Sequence, residues 1–221
     1  MNRPTVYATT TGIPVPQQPA APVRERRAGP VPAVRDLRDR PGGGPRTLRF
    51  GPRDLAVVTG LPGSGKSTLM RRTVPGHRVD SQDARDRWAA RLPAALPYAL
   101  YRPLVRLAHY AGLRRALRSG EGVVVHDCGT QPWVRAWLAR EARRRGGALH
   151  LILLDVPAAT ARQGQRERGR GVSRYAFRRH RSVTARLLDA LEHGERPAGC
   201  DAVVLMDRAS ANGLSRIEFA E

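Results

Sequence analysis

The chain has 221 residues, with 39 basic against 19 acidic side chains and a formal net charge of +20. Its length suits one α/β domain with a tail rather than two independent cores, and 41% hydrophobic with 26% charged residues excludes a wholly disordered chain. Two cysteines exclude a disulfide framework and a four-cysteine zinc site, and no apolar run approaches the roughly 18 residues of a membrane span. A cytoplasmic protein with no membrane partner is therefore expected. The charge would attract nucleic acid, anionic lipid or phosphorylated small molecules. All but one of the basic residues are arginine, and the exception is Lys66, at a position that calls for a compact ammonium rather than a planar fork.

Residues 1–45 hold nine of the 18 prolines and no apolar periodicity, which predicts a disordered Pro/Arg-rich tail ahead of one domain over 46–221. Five short apolar runs then alternate with helical patterns. The strands are expected at 55–59, 77–80, 123–127, 149–155 and 202–207, and the helices at 66–73, 81–91, 102–118, 130–145, 158–168 and 174–192. That alternation predicts an α/β fold with a five-stranded parallel sheet between helical layers.

The first strand of the domain runs into Gly60-Leu61-Pro62-Gly63-Ser64-Gly65-Lys66-Ser67-Thr68, a GxxxxGKS sequence with a strand before it and a helix after it. The glycines let the backbone curl so that its amides converge on one concavity, where the positive end of the following helix adds to them. Phosphate oxygens fit there. Lys66 would reach the outer phosphates of ATP, Ser67 would offer its hydroxyl to Mg²⁺, and Thr68 would cap or pack.

Asp127, at the end of the strand over 123–127, is the expected second metal carboxylate, or else a cap for the next helix. Cys128 and Gly129 follow it where a fast ATPase would carry a water-activating glutamate. His126 and Cys128 read as packed or lining groups rather than metal ligands. Asp80, at the carboxyl end of the second predicted strand of the domain, is placed to take the proton of an attacking hydroxyl, and Arg85, one turn into the next helix, to hold an anionic substrate. Asp83 lies in the first helical turn, where its charge favours the helix dipole.

Residues 54–207 resemble the P-loop kinases of the adenylate-kinase-like superfamily, and especially their polynucleotide 5′-kinase and adenylylsulfate kinase branches. The resemblance places Asp80 and Arg85 on the acid and arginine that follow the second strand, with Gln82 where the catalytic acid stands. Asp155-Val156-Pro157 is similar to the DxP that precedes an arginine-bearing lid, and this implies lid roles for Arg168 and, with Gly164 at the first arginine position, for Arg166. Those arginines would neutralise the transferred phosphoryl group, unless they form a solvated helix face. The expected activity is Mg-ATP-dependent phosphoryl transfer to a hydroxyl acceptor, with nucleic acid among the candidate partners; the alternative is a nucleotide-dependent switch or slow ATPase that binds a partner.

Overall fold

A strand such as Leu55-Ala56-Val57-Val58, apolar at every position, is stable only where both of its faces are covered. The computed structural model, which describes residues 33–40, 44–93, 95–126, 132–169 and 171–220, meets that condition with a parallel sheet between two helical layers. In chain order the elements are β1 (Val34–Asp36), β2 (Thr47–Phe50), β3 (Leu55–Gly60), α1 (Lys66–Thr73), β4 (Arg78–Val79), α2 (Ser81–Ala89) and α3 (Tyr98–Arg118), followed by β5 (Val123–His126), α4 (Pro132–Arg144), β6 (Leu149–Leu154), α5 (Ala158–Glu167), α6 (Arg174–Glu192), β7 (Ala202–Met206), α7 (Arg208–Gly213) and β8 (Arg216–Phe219). The main sheet has the order β1-β7-β6-β3-β5-β4, and every pair in it is parallel.

Alternate residues of each strand feed opposite cores, as the pleat requires. Leu55, Val57, Val125, Leu151 and Leu205 pack with Leu113 and Leu117 of α3, Leu138 of α4 and Leu191 of α6. Ala56, Val58, Val124, Ile152 and Met206 pack with Leu69 and Met70 of α1 and with Leu37, Leu48 and Ile217. Among the described residues no helix is long and apolar enough to cross a membrane.

Two expectations need correction. The main sheet has six strands rather than five, because β1 adds to the edge beyond β7, pairing Val34 with Val203 and Asp36 with Leu205. This strand lies inside the segment read as a disordered tail, and Leu37 just after it is wholly buried. Arg38 fastens it: two of its nitrogens fork onto Asp36, and a third donates to Asp155 Oδ2 at 2.8 Å. The remainder of the tail, residues 1–32 and 41–43, lies outside the described residues. The second correction is α3, which starts one turn earlier than expected and carries Pro103 inside it. The extra turn brings the Tyr98 ring edge-on to Tyr101 at 5.3 Å, in a cluster with Ala84 and Trp88 of α2. β2 and β8, which no sequence signal marked, pair parallel in a separate two-stranded sheet.

At the opposite end of the strands from the P-loop, Asp54 joins the turn before β3 to the start of β6. Its carboxylate accepts from the amides of Gly51 and Ala148, both at 2.8 Å, and pairs with His150 Nε2 at 2.7 Å. Burial pushes its pKa up, but the His150 contact and the two amides outweigh that and hold it below the ordinary carboxylate value. A depressed folded-state pKa contributes stability that is present above about pH 4 and is lost as pH falls through the lowered value. Asp54→Asn is thus expected to melt well below wild type at neutral pH, with the gap closing as pH is lowered below about 4. A gap independent of pH would assign the loss to packing alone.

Leu37→Ala is expected to cost about 2–5 kcal/mol, the range for a large buried aliphatic side chain. Deleting residues 1–45 removes β1 and Leu37 together and should lower the urea midpoint further. Coincident urea curves for the truncated and full chains would show that β1 contributes nothing.

Candidate active site

The site grows from the turn between β3 and α1. β3 is central in the sheet, pairing with β5 through Val58 opposite His126 and with β6 through Gly60 opposite Leu154. The turn therefore opens at the carboxyl ends of three adjacent strands, where α/β sheets bind ligands. Left-handed Gly65 caps α1, whose first two residues, Lys66 and Ser67, are both buried. The Lys66 ammonium donates to the carbonyls of Gly60 at 2.9 Å and Leu61 at 2.8 Å, which hold it inside the curl of the loop.

α5 lies directly on this loop. A Cβ on Gly63 would fall on the Ala161 carbonyl, and one on Gly164 would stand 2.6 Å from the Gly63 oxygen, so neither position has room for a side chain. Gln165, buried beside them, completes the contact: its amide nitrogen donates to the Pro62 carbonyl at 2.9 Å and its oxygen accepts from the Val172 amide at 3.0 Å. The first lid-arginine position therefore cannot carry an arginine. Gly164 is where the helix backbone meets the loop backbone.

A cavity of about 500 Å³ opens beside the loop. Pro62, Gly63, Gly65, Lys66, Ser67, Thr68, Arg85 and Arg168 line it, so eight of the predicted site residues come together. Arg168 donates to the Thr68 hydroxyl at 3.0 Å, which tethers the end of α5 to α1. The Arg85 guanidinium lies 4.1 Å from the centroid of the Tyr98 ring and is steered by it. On the other side of the loop a smaller cavity of about 120 Å³ shares Gly63, Gly65, Thr68 and Arg168 and is also lined by Arg208 and Asn212.

Asp80 and Arg166 do not line the main cavity. Asp80 is buried as the N-cap of α2, accepting from the Gln82 amide at 2.9 Å, and its Oδ1 lies 3.7 Å from His126 Nδ1. Its Oδ2 is buried without a hydrogen-bond partner among the described residues, and Asp80 lines a separate cavity with His109 of α3. Arg166 projects from the other side of α5 into a groove against α6. Asp127, Cys128, Gly129 and Thr130 lie outside the described residues. Among the described residues no group of three or more His, Cys, Asp or Glu side chains is arranged to hold a metal ion.

The residues that sequence reasoning missed come from α1, α2 and α6. Arg71, Asp86 and His180 line the cavity, and so do Gln82 and His126. Asp86 is the one carboxylate among the described lining residues, with its Oδ2 3.8 Å from Arg71. Its signal was available, since Gln82, Arg85 and Asp86 are three and four apart and share a helical face that excludes Asp83. His126 is buried with Nδ1 3.0 Å from the Ser81 hydroxyl. Burial depresses its pKa, the nearby Lys66 charge adds to the effect, and Asp80 opposes it, so the ring is neutral at pH 7.

Residues 55–193 match the AAA domain family. The chain belongs to that family. The match agrees with the P-loop kinase-like reading of the sequence and spans the P-loop, α2, α5 and α6. No curated protein sequence matches the chain. Among solved structures, one from the PezAT chromosomal toxin–antitoxin system of Streptococcus pneumoniae is similar at 13% identity and a TM-score of 0.50, over 73% of this chain and 77% of the other. A shikimate kinase from Acinetobacter baumannii aligns at 15% identity and a TM-score of 0.41, over 73% and 87%. A gluconokinase from Sinorhizobium meliloti 1021 aligns at 21% and 0.40, over 76% and 91%. At these identities the similarity to the first is one of fold.

The α5 contact is open to a direct test. Gly164→Ala should destabilise the AAA domain by about 1–3 kcal/mol, the usual cost of overpacking, because the new methyl meets a backbone carbonyl. Calorimetry of Gly164→Ala beside Gly171→Ala, where nothing stands within 4 Å of an added Cβ, checks it. Equal melting temperatures would mean that α5 moves aside freely.

Proposed function

We propose that the chain is an ATP-dependent phosphotransferase that moves the γ-phosphoryl group to a hydroxyl acceptor. The observation that carries this reading is the Lys66 ammonium, buried inside the P-loop curl at the head of α1 and facing a cavity shared with Arg85 and Arg168. Residues 60–68 would hold the phosphates. Ser67, buried in the cavity wall, suits one oxygen position of a Mg²⁺ shell, with Asp127 as the proposed carboxylate partner. Bound there, Mg²⁺ would neutralise charge on the phosphates.

In the transfer, the acceptor oxygen forms a bond to the γ-phosphorus, the bond from that phosphorus to the β–γ bridging oxygen breaks, and ADP leaves. The hydroxyl proton needs an acceptor. Asp86 faces the cavity and is the proposed base in place of Asp80, which caps α2 through Oδ1 and does not line the cavity. Arg85 would orient the acceptor, and Arg168, tied to Thr68, would close over the equatorial phosphate oxygens. Arg166, which the sequence reading placed in the lid, has no part in this scheme.

The deciding experiment is incubation with γ-labelled ATP and a panel of 5′-hydroxyl oligonucleotides, nucleosides, sugars and aminoglycosides. One acceptor class should become labelled, and Lys66→Ala should reduce the rate by about 10²-fold or more with the fold intact. Lys66→Arg should fail as well, since a planar fork does not replace a point charge in a tight loop. Asp86→Asn is expected to lower transfer by roughly 10²–10⁴-fold with ATP affinity little changed, whereas Asp80→Asn should cost mainly stability, about 1 kcal/mol or less. The reverse ranking would restore Asp80 as the base. ADP formation with no labelled acceptor would favour the slow-ATPase switch.

A further inference from the structure

We propose that the groove between α5 and α6 binds single-stranded nucleic acid through its phosphate backbone. This groove, of about 780 Å³, is lined by Arg162 and Arg166 of α5 and by Arg174 and Arg178 of α6. Among the described residues no carboxylate lines it. None of these four guanidinium groups forms an ion pair with a described residue, whereas Arg38, Arg49 and Arg144 each pair with a carboxylate within 3 Å. Four like charges facing one concavity repel one another, and a polyanion laid between them removes that repulsion.

The geometry favours a phosphodiester chain. Each helix presents its two arginines four residues apart, which sets their Cβ atoms about 5–6 Å apart in two facing rows. A strand of regularly repeated phosphates can engage both rows in sequence, and a guanidinium binds phosphate through paired donors. Arg162 is already oriented, its guanidinium 4.9 Å from the centroid of the Phe177 ring at the groove floor. Tyr175, beside Arg174 in sequence and 77% exposed, lies outside the groove lining and offers a ring to a base projecting from a strand held there. A bilayer surface is flat on this scale and does not enter a groove, and an acidic peptide lacks the regularly repeated phosphates that suit paired guanidinium donors.

Gln165, Gly171 and Val172 line both this groove and the P-loop cavity, so the two spaces adjoin at the end of α5. Arg166 thus has a place in the molecule although it does not face the P-loop. The proposal is independent of the phosphoryl-transfer reading, because binding is measured without turnover.

The test uses the full chain and a fluorescein-labelled single-stranded 20-mer, with anisotropy followed from 50 to 300 mM salt. Four backbone contacts predict a slope of log K against log salt steeper by about 2.8 than a groove-less chain would show, at roughly 0.7 per contact. Arg174→Ala with Arg178→Ala should flatten the slope by about 1.4. Arg140→Ala with Arg143→Ala on α4, which removes the same charge elsewhere, should leave it nearly unchanged. Tyr175→Ala should weaken binding about fivefold or more. Equal effects of the two arginine pairs would replace the groove by diffuse attraction to a +20 chain. Absence of binding at 50 mM salt, or tighter Arg174- and Arg178-dependent binding to phosphatidylserine vesicles or to a poly-glutamate peptide, would overturn the assignment. Unchanged unfolding midpoints of both double variants guard against a folding defect.

Discussion

The backbone of α5 touches the backbone of the P-loop at Gly63 and Gly164, and the shape of the site follows from that contact. Two chains can approach so closely only where neither carries a Cβ. The approach brings Gln165 within reach of the Pro62 carbonyl and Arg168 within reach of Thr68, so loop and helix share polar contacts on both sides of the glycine pair. It also divides the surroundings. One side of α5 faces the loop with Gln165 and Arg168, and the other turns Arg162 and Arg166 toward α6. A larger residue at either glycine would separate the helix from the loop and merge these two environments.

α2 sorts its residues in the same way. Asp80 starts the helix, its buried Oδ1 between the Gln82 amide and His126. Gln82, Arg85 and Asp86 then face the P-loop cavity, while Asp83, Ala84 and Arg87 face the space beneath α3. His126 touches the Ser81 hydroxyl and lines the P-loop cavity, so it connects the two sides of α2. A shift in the first turn of α2 would therefore be felt at the wall of the P-loop cavity.

Much of this architecture was legible in the residues. GxxxxGKS between an apolar run and a helical pattern located the loop, and the strands buried on both faces stood out because they are apolar at every position. Their helices followed within a few residues, α6 at its observed limits. What escaped were features whose signal is not local. β1 is three residues long and contains a single valine, and only the pairing with Val203 and the burial of Leu37 reveal it. β2 and β8 are four residues each and mix charged with apolar positions. In the site, Asp80 was assigned from its place at a strand end, but a helix cap and a cavity-facing acid occupy the same kind of position. Helical phase separates them: Asp86 lines the cavity and Asp80 does not. For the arginines, abundance hid direction: Arg166 and Arg168 are two residues apart and so leave α5 on different sides.

β7 consists of Ala202, Val203, Val204, Leu205 and Met206, all buried. Without a neighbour on its outer side, this strand would end the sheet as an apolar edge with a row of unsatisfied amides and carbonyls, the template on which separate chains join into aggregates. β1 occupies that position, and its central Arg35 together with Asp36, Arg38 and Asp39 gives the new border alternating charge. The short strand held by Arg38 and Asp155 therefore acts as a gatekeeper, covering an edge on which separate chains would otherwise join.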